Sequence, residues 1–74
     1  MSLHEQVIAL SKPYLGPAAE SFIDRQCSTR LKIVPSGLKS AQLAELARYV
    51  ALYGATIMDE RKAKELSSKI TALH

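Results

Sequence analysis

Apolar residues recur at helical spacing in four places along the chain, and turn-forming residues fall between them. Leu3, Val7 and Leu10 share one face. Ser2 followed by Glu5 has the capping-box pattern, so a first helix is predicted from residue 3; Pro13, which lacks an N–H and disfavours helical geometry at Lys12, predicts its end at 12. Gly16-Pro17 is a helix entry, because proline at a first helical position sacrifices no needed donor. Ala18, Ala19, Phe22, Ile23 and Cys27 continue at helical spacing with Glu20 in the first turn, which predicts a second helix over 17–29.

From 30 to 39 the helical period is lost. Leu31 and Ile33 alternate with Arg30 and Lys32, and Val34-Pro35-Ser36-Gly37 is a breaker cluster, which predicts an extended linker with room for one short strand over 30–34. A lone strand here would have to pair with another chain. Ser40 is the expected cap of a third helix in which Leu43, Leu46, Ala47, Val50 and Tyr53 cover a wide arc, ending near Gly54 as a left-handed cap. With Tyr49 and Leu52 added, it is apolar nearly all round, as expected of a central core helix or of one that also meets a subunit partner. Thr56 or Asp59 caps the last helix, whose stripe Ala63, Leu66, Ile70, Leu73 is narrow; Glu60 with Lys64 and Glu65 with Lys69 make its other face a solvated one. The expected fold is therefore all-α: a small four-helix bundle forming a single helical domain over residues 1–74, with an extended basic linker between helices 2 and 3.

Composition changes this picture in two respects. A chain of 74 residues is one domain, and at that size apolar burial and ordering entropy nearly cancel, so such domains lean on disulfides, a metal or self-association. Cys27 is the single cysteine, which excludes an internal disulfide and suits a reducing, cytoplasmic setting. With only Cys27, His4 and His74 far apart, no metal site is expected. Self-association remains, and a homo-oligomer, a dimer, is expected through Leu46, Tyr49, Leu52 and Tyr53 of the third helix. The N-terminus has no basic region of a signal peptide, and the longest weakly charged stretch, 46–58, is too short to span a bilayer, so no membrane segment is expected.

Charge is the second respect. The formal net charge is +3, yet residues 25–39 hold four basic side chains, Arg25, Arg30, Lys32 and Lys39, and no acidic one, which leaves the remainder slightly negative. Such a segment is either a solvated linker or a docking surface for an acidic protein face or for phosphates. The tyrosines Tyr14, Tyr49 and Tyr53 lie outside it, so a base-stacking platform is missing. A helix-turn-helix laid over 46–65 would turn Glu60 inward and bring Asp59 and Glu60 to phosphates with the wrong sign.

Catalytic readings find little purchase. Cys27 lies on an apolar stripe with Phe22 and Ile23 and has no base beside it in sequence, so a buried structural thiol is expected; His4 reads as a surface residue near a helix start. Gly16, Gly37 and Gly54 are isolated and form no phosphate loop. No catalytic residue and no cofactor are expected.

Tyr14-Leu15-Gly16-Pro17-Ala18-Ala19, with Pro35, Leu38, Leu43, Leu46-Ala47 and then Ala63, Leu66, Ile70 and Leu73, resembles the small helical L-G-P-x-A module found at the C-termini of bacterial signalling proteins such as response regulators and kinases. The likeness covers the chain from Tyr14 onward, and here the module would stand alone with its own N-terminal helix. The resemblance implies an accessory, non-catalytic interaction part. The expected function is a self-associating protein-protein interaction module in a bacterial signalling or regulatory assembly; the alternative is a small DNA-binding regulator using residues 25–39.

Overall fold

A computed structural model describes residues 2–73, and within them the backbone is all-helical with no strand. Four α-helices are present: α1 (Leu3–Leu15), α2 (Ala19–Arg25), α3 (Leu43–Gly54) and α4 (Glu60–Thr71). They do not stand as four separate rods, because α1 and α2 are joined directly by a 3-10 turn over Gly16–Ala18, and α2 runs on into a π-helical segment over Gln26–Leu31. The all-α expectation holds, but in place of a four-helix bundle the chain forms three helical stretches, 3–31, 40–54 and 60–71, the first of which turns back on itself at Gly16.

α1 begins as the sequence predicts. Ser2 Oγ accepts the Glu5 N–H and Glu5 Oε1 accepts the Ser2 N–H, both at 3.1 Å; the Ser2 N–H first, then the Ser2 hydroxyl, hold the Glu5 carboxyl below its ordinary pKa range. Its predicted end at 12 is corrected: the helix passes through Pro13 to Leu15. Pro13 and Ala9, whose carbonyl would have accepted a bond from residue 13, both lie on the exposed side, so water can take the freed acceptor. The turn itself rests on Gly16, at φ 59° and ψ −136°, a conformation that a Cβ would strain.

The extended basic linker is also corrected. Residues 26–31 wind as the wide π-helix; Lys32 then adopts the left-handed conformation at φ 57°, and its N–H and that of Ile33 both close onto the Cys27 carbonyl. The alternation of Leu31 and Ile33 with charged neighbours, which suggested a strand, arises because both side chains pack against the core from this closing turn. Pro35–Gly37 and Ser40–Gln42 are single 3-10 turns, and between them Leu38 is buried and pins the connection to the core.

Two further helix-end readings change. Ser40 is not the cap of the third helix: Gln42 reaches back, its Oε1 accepting the Lys39 N–H at 3.0 Å. Gly54 is not left-handed, since Gly16 is the glycine with positive φ among the described residues. Gly54 is small because its surroundings are close; a Cβ there would stand 2.9 Å from Met58 Cε and 3.5 Å from Ala63 Cβ. Asp59 does cap α4, with Oδ1 accepting the Lys62 N–H at 2.7 Å, while Thr56 bonds back to the Tyr53 carbonyl.

α3 and α4 make the most extensive helix pair, and Val7, Ile23, Leu46, Val50, Leu66 and Ile70, all fully buried, form the centre where the three stretches meet. Each stretch contributes two of these six side chains, so no stretch buries its apolar face alone. The accessible surface of 4509 Å² is what size scaling gives for a folded monomer of this mass, about 4,500 Å². Polar ties cross between helices at the rim: His4 Nε2 to Asp24 Oδ1 at 2.6 Å, Tyr14 Oη to Glu65 Oε1 at 2.6 Å, and Ser67 Oγ to the Ala47 carbonyl at 2.8 Å.

Candidate functional site

The C-terminal half of α3 carries a surface stripe built by its helical repeat. Tyr49 and Tyr53 are one turn apart and stack, with ring centroids 6.3 Å apart and planes inclined by 23°. Leu52 stands beside them 61% exposed, and Ile57, in the turn that leaves the helix, is 59% exposed. Among the described residues only Val34 is a comparably exposed large hydrophobe. Arg30, on the π-helical segment, lies over Tyr53 with its guanidinium carbon 4.1 Å from the ring centroid, and Arg48 approaches the Tyr49 ring at 5.5 Å.

Next to this stripe α2 and the α3–α4 turn enclose two adjoining shallow grooves, of about 210 and 200 Å³, that share Phe22, Arg25 and Ile57. Ala18 and Ser21 extend the first; Gln26, Arg30, Tyr53 and Thr56 line the second. No carboxylate lines either groove. Of the acids near them in sequence, Asp24 is bonded to His4, Asp59 caps the α4 N-terminus and Glu60 pairs with Lys64 at 3.1 Å, while the exposed Glu20 lines a separate groove with Glu5 and Lys12. Gln26 is only 4% exposed, and its Oε1 is the one buried side-chain polar atom without a hydrogen-bond partner among the described residues.

The sequence-predicted residues divide sharply. Arg25 and Arg30 come together on the groove, whereas the exposed Lys32 and Lys39 lie beyond its lining. Of the four side chains expected to carry self-association, Tyr49, Leu52 and Tyr53 reach the surface, and Leu46 does not: it is fully buried in the core of the single chain. The reason is rotation. Leu46 shares the inward face with Val50, while Leu52 lies about 120° round the helix from Leu46. Sequence reasoning missed Gln26, Phe22 as a groove wall, Thr56 and Ile57. The only signal for them was an apolar Ile57 in a turn, since a packing groove depends on which helices meet.

Cys27 is fully buried, and burial first, then the Asp24 charge, pushes its thiol up to about 11, which keeps it protonated and unreactive at neutral pH. His4 is corrected from a surface residue to a half-buried one, its side chain 17% exposed and bonded to Asp24. No group of three or more His, Cys, Asp or Glu is placed to hold a metal ion, and no helix is long and apolar enough to cross a membrane, among the described residues. No family model matches the chain, and no curated protein or solved structure matches it.

Proposed function

We propose that this chain is a non-catalytic protein-protein interaction module that also associates with a second copy of itself. The observation that carries the reading is the stripe of Tyr49, Leu52, Tyr53 and Ile57 with Arg30 and Arg48 laid against its rings. Tyrosine and arginine beside exposed aliphatic side chains is the composition that interface centres favour, because these groups supply large contact area at small entropic cost. A free surface has no need of Leu52 and Ile57, and burying both between two chains removes apolar area from water. His4 is tied to Asp24, and Cys27 is buried with its thiol held protonated. The likeness of the Leu15-Gly16-Pro17-Ala18 turn to modules of bacterial signalling proteins supports placing the partner in a signalling or regulatory assembly, with the protein in the cytoplasm.

Sedimentation equilibrium of the wild type and Leu52→Asp tests this reading. The wild type should associate reversibly in the range of about 10 to 100 μM, and Leu52→Asp should remain monomeric with an unchanged helical circular-dichroism spectrum. A wild type that stays monomeric throughout, or a Leu52→Asp variant that associates equally well, would overturn the self-association reading.

A further inference from the structure

We propose that the paired grooves between α2 and the α3–α4 turn bind a short acidic segment of a protein partner, with an apolar side chain seated on Phe22 and Ile57 and its flanking carboxylates held by Arg25 and Arg30. The proposal rests on the interaction-module reading and names the partner's chemistry. Charge complementarity selects the occupant: two arginines border the grooves and no carboxylate lines them, since Asp24, Asp59 and Glu60 are engaged elsewhere and Glu20 lines a separate groove against α1. The cation–π contact with Tyr53 holds the Arg30 guanidinium beside the groove, where its N–H donors can grip a carboxylate in a two-pronged bond.

Gln26 supplies a second, independent observation. Its carboxamide oxygen is buried without a donor, a costly state for a polar atom, and Gln26 lines the groove that Arg30 borders. A small turn of the carboxamide into the groove would bring this oxygen to the backbone N–H groups of a bound peptide. A phosphate brings only acceptors, which the same oxygen would repel.

A nucleic acid fits less well for another reason. Base stacking needs an open aromatic face, and each of the three tyrosines already has a cation over its ring: Arg30 on Tyr53, Arg48 on Tyr49 and Lys69 on Tyr14. Tyr49 and Tyr53 also stack on each other.

The test is an NMR titration of the full chain, ¹⁵N-labelled and carrying Leu52→Asp to suppress self-association, so that failure of the dimer leaves this result readable. The probes are the end-blocked decapeptide GSEELFEESG, its charge-reversed form GSKKLFKKSG, the form GSEESGEESG without the apolar pair, and a short DNA duplex. The acidic apolar peptide should give saturable shifts confined to residues 22–30 and 53–57 and to the Gln26 side-chain amide. Both control peptides should bind at least about tenfold more weakly, and Arg25→Glu with Arg30→Glu should lose the peptide by a similar factor while the fold persists. Gln26→Leu should raise the melting temperature and yet weaken the peptide, a combination that a purely structural glutamine would not give. The proposal fails if the acidic peptide does not saturate by about 5 mM, if its shifts spread evenly to Lys32, Lys39 and Lys62, if the double arginine variant binds unchanged, or if the duplex binds the grooves more tightly than the peptide.

Discussion

Leu46 and Leu52 occupy the same helix, and their burial makes opposite predictions for the same substitution. Leu46 is fully buried against the centre of the core, whereas Leu52 is 61% exposed. Truncating a buried leucine to alanine costs the transfer energy of the lost methyl groups and the cavity left behind, about 2 to 5 kcal/mol. Total stability for a domain of 74 residues is about 4 to 11 kcal/mol, so Leu46→Ala removes a large part of it. At roughly 4 to 8 °C per kcal/mol, the melting temperature should fall by at least about 8 °C. Leu52→Ala removes little buried area and should shift stability by less than about 0.5 kcal/mol in dilute solution. Urea unfolding followed by circular dichroism, repeated across a hundredfold range of protein concentration, measures both effects. The Leu46→Ala loss should be independent of concentration because the contacts are within one chain. If that loss were below about 1 kcal/mol, or vanished on dilution because Leu46 is buried only by a second copy, the assignment of Leu46 to the monomer core would be wrong.

Other substitutions and pH probe the local features. Lys32 pays for a left-handed backbone, so Lys32→Gly should relieve about 1 kcal/mol of strain, offset in part by added freedom when unfolded, and raise the melting temperature by a few degrees; a fall would refute the strain argument. Asp59→Ala should cost about 1 kcal/mol of stability in urea unfolding by freeing the Lys62 N–H, and Asp59→Ser should recover most of it. Because the Cys27 thiol is raised to about 11 from an ordinary value of 9.0, the unfolded chain loses this proton first as pH rises. The thiol's contribution is therefore complete below about pH 9 and drains away towards pH 11, a decline that Cys27→Ala should lack when the two proteins are compared by chemical denaturation.

The extent to which this fold could be read in the sequence follows from the range over which each signal acts. The capping box at Ser2 and Glu5, the Asp59 cap and the Ala63, Leu66, Ile70 stripe were legible because each depends on residues within one or two turns. Pro13 misled because a missing donor ends a helix only where the freed carbonyl has no water, and exposure of that face is a tertiary fact. Gly54 misled for the same kind of reason: its smallness answers Met58 and Ala63 across the turn and is unrelated to its own φ. Arg25 and Arg30 were found through charge alone, but nothing in the sequence could distinguish them from Lys32 and Lys39, which the closing turn carries away from the groove. His4 with Asp24 and Tyr14 with Glu65 were hidden because each pair is joined only when separate helices pack.

The departures from ideal local structure are concentrated rather than scattered. Within Gln26 to Lys32 the backbone winds as a π-helix, Gln26 holds an unpartnered buried oxygen, and Lys32 takes a left-handed conformation without being glycine. The last two have inexpensive remedies in sequence: a leucine at 26 and a glycine at 32. A domain with a total stability of about 4 to 11 kcal/mol has little to spare for an orphan acceptor and a strained residue six positions apart. The wide turn carries Arg30, whose guanidinium lies over Tyr53, and Gln26 and Arg30 border the same groove as Ile57. Local cost beside an exposed apolar and cationic surface is the pattern expected where a binding surface competes with stability. The two remedies therefore test different roles for this segment: Lys32→Gly, remote from the groove lining, should stabilise the chain without altering peptide binding, whereas Gln26→Leu should stabilise it and weaken binding. If both variants weakened the peptide equally, the geometry of the π-helical turn as a whole, rather than the Gln26 carboxamide, would be what the ligand detects.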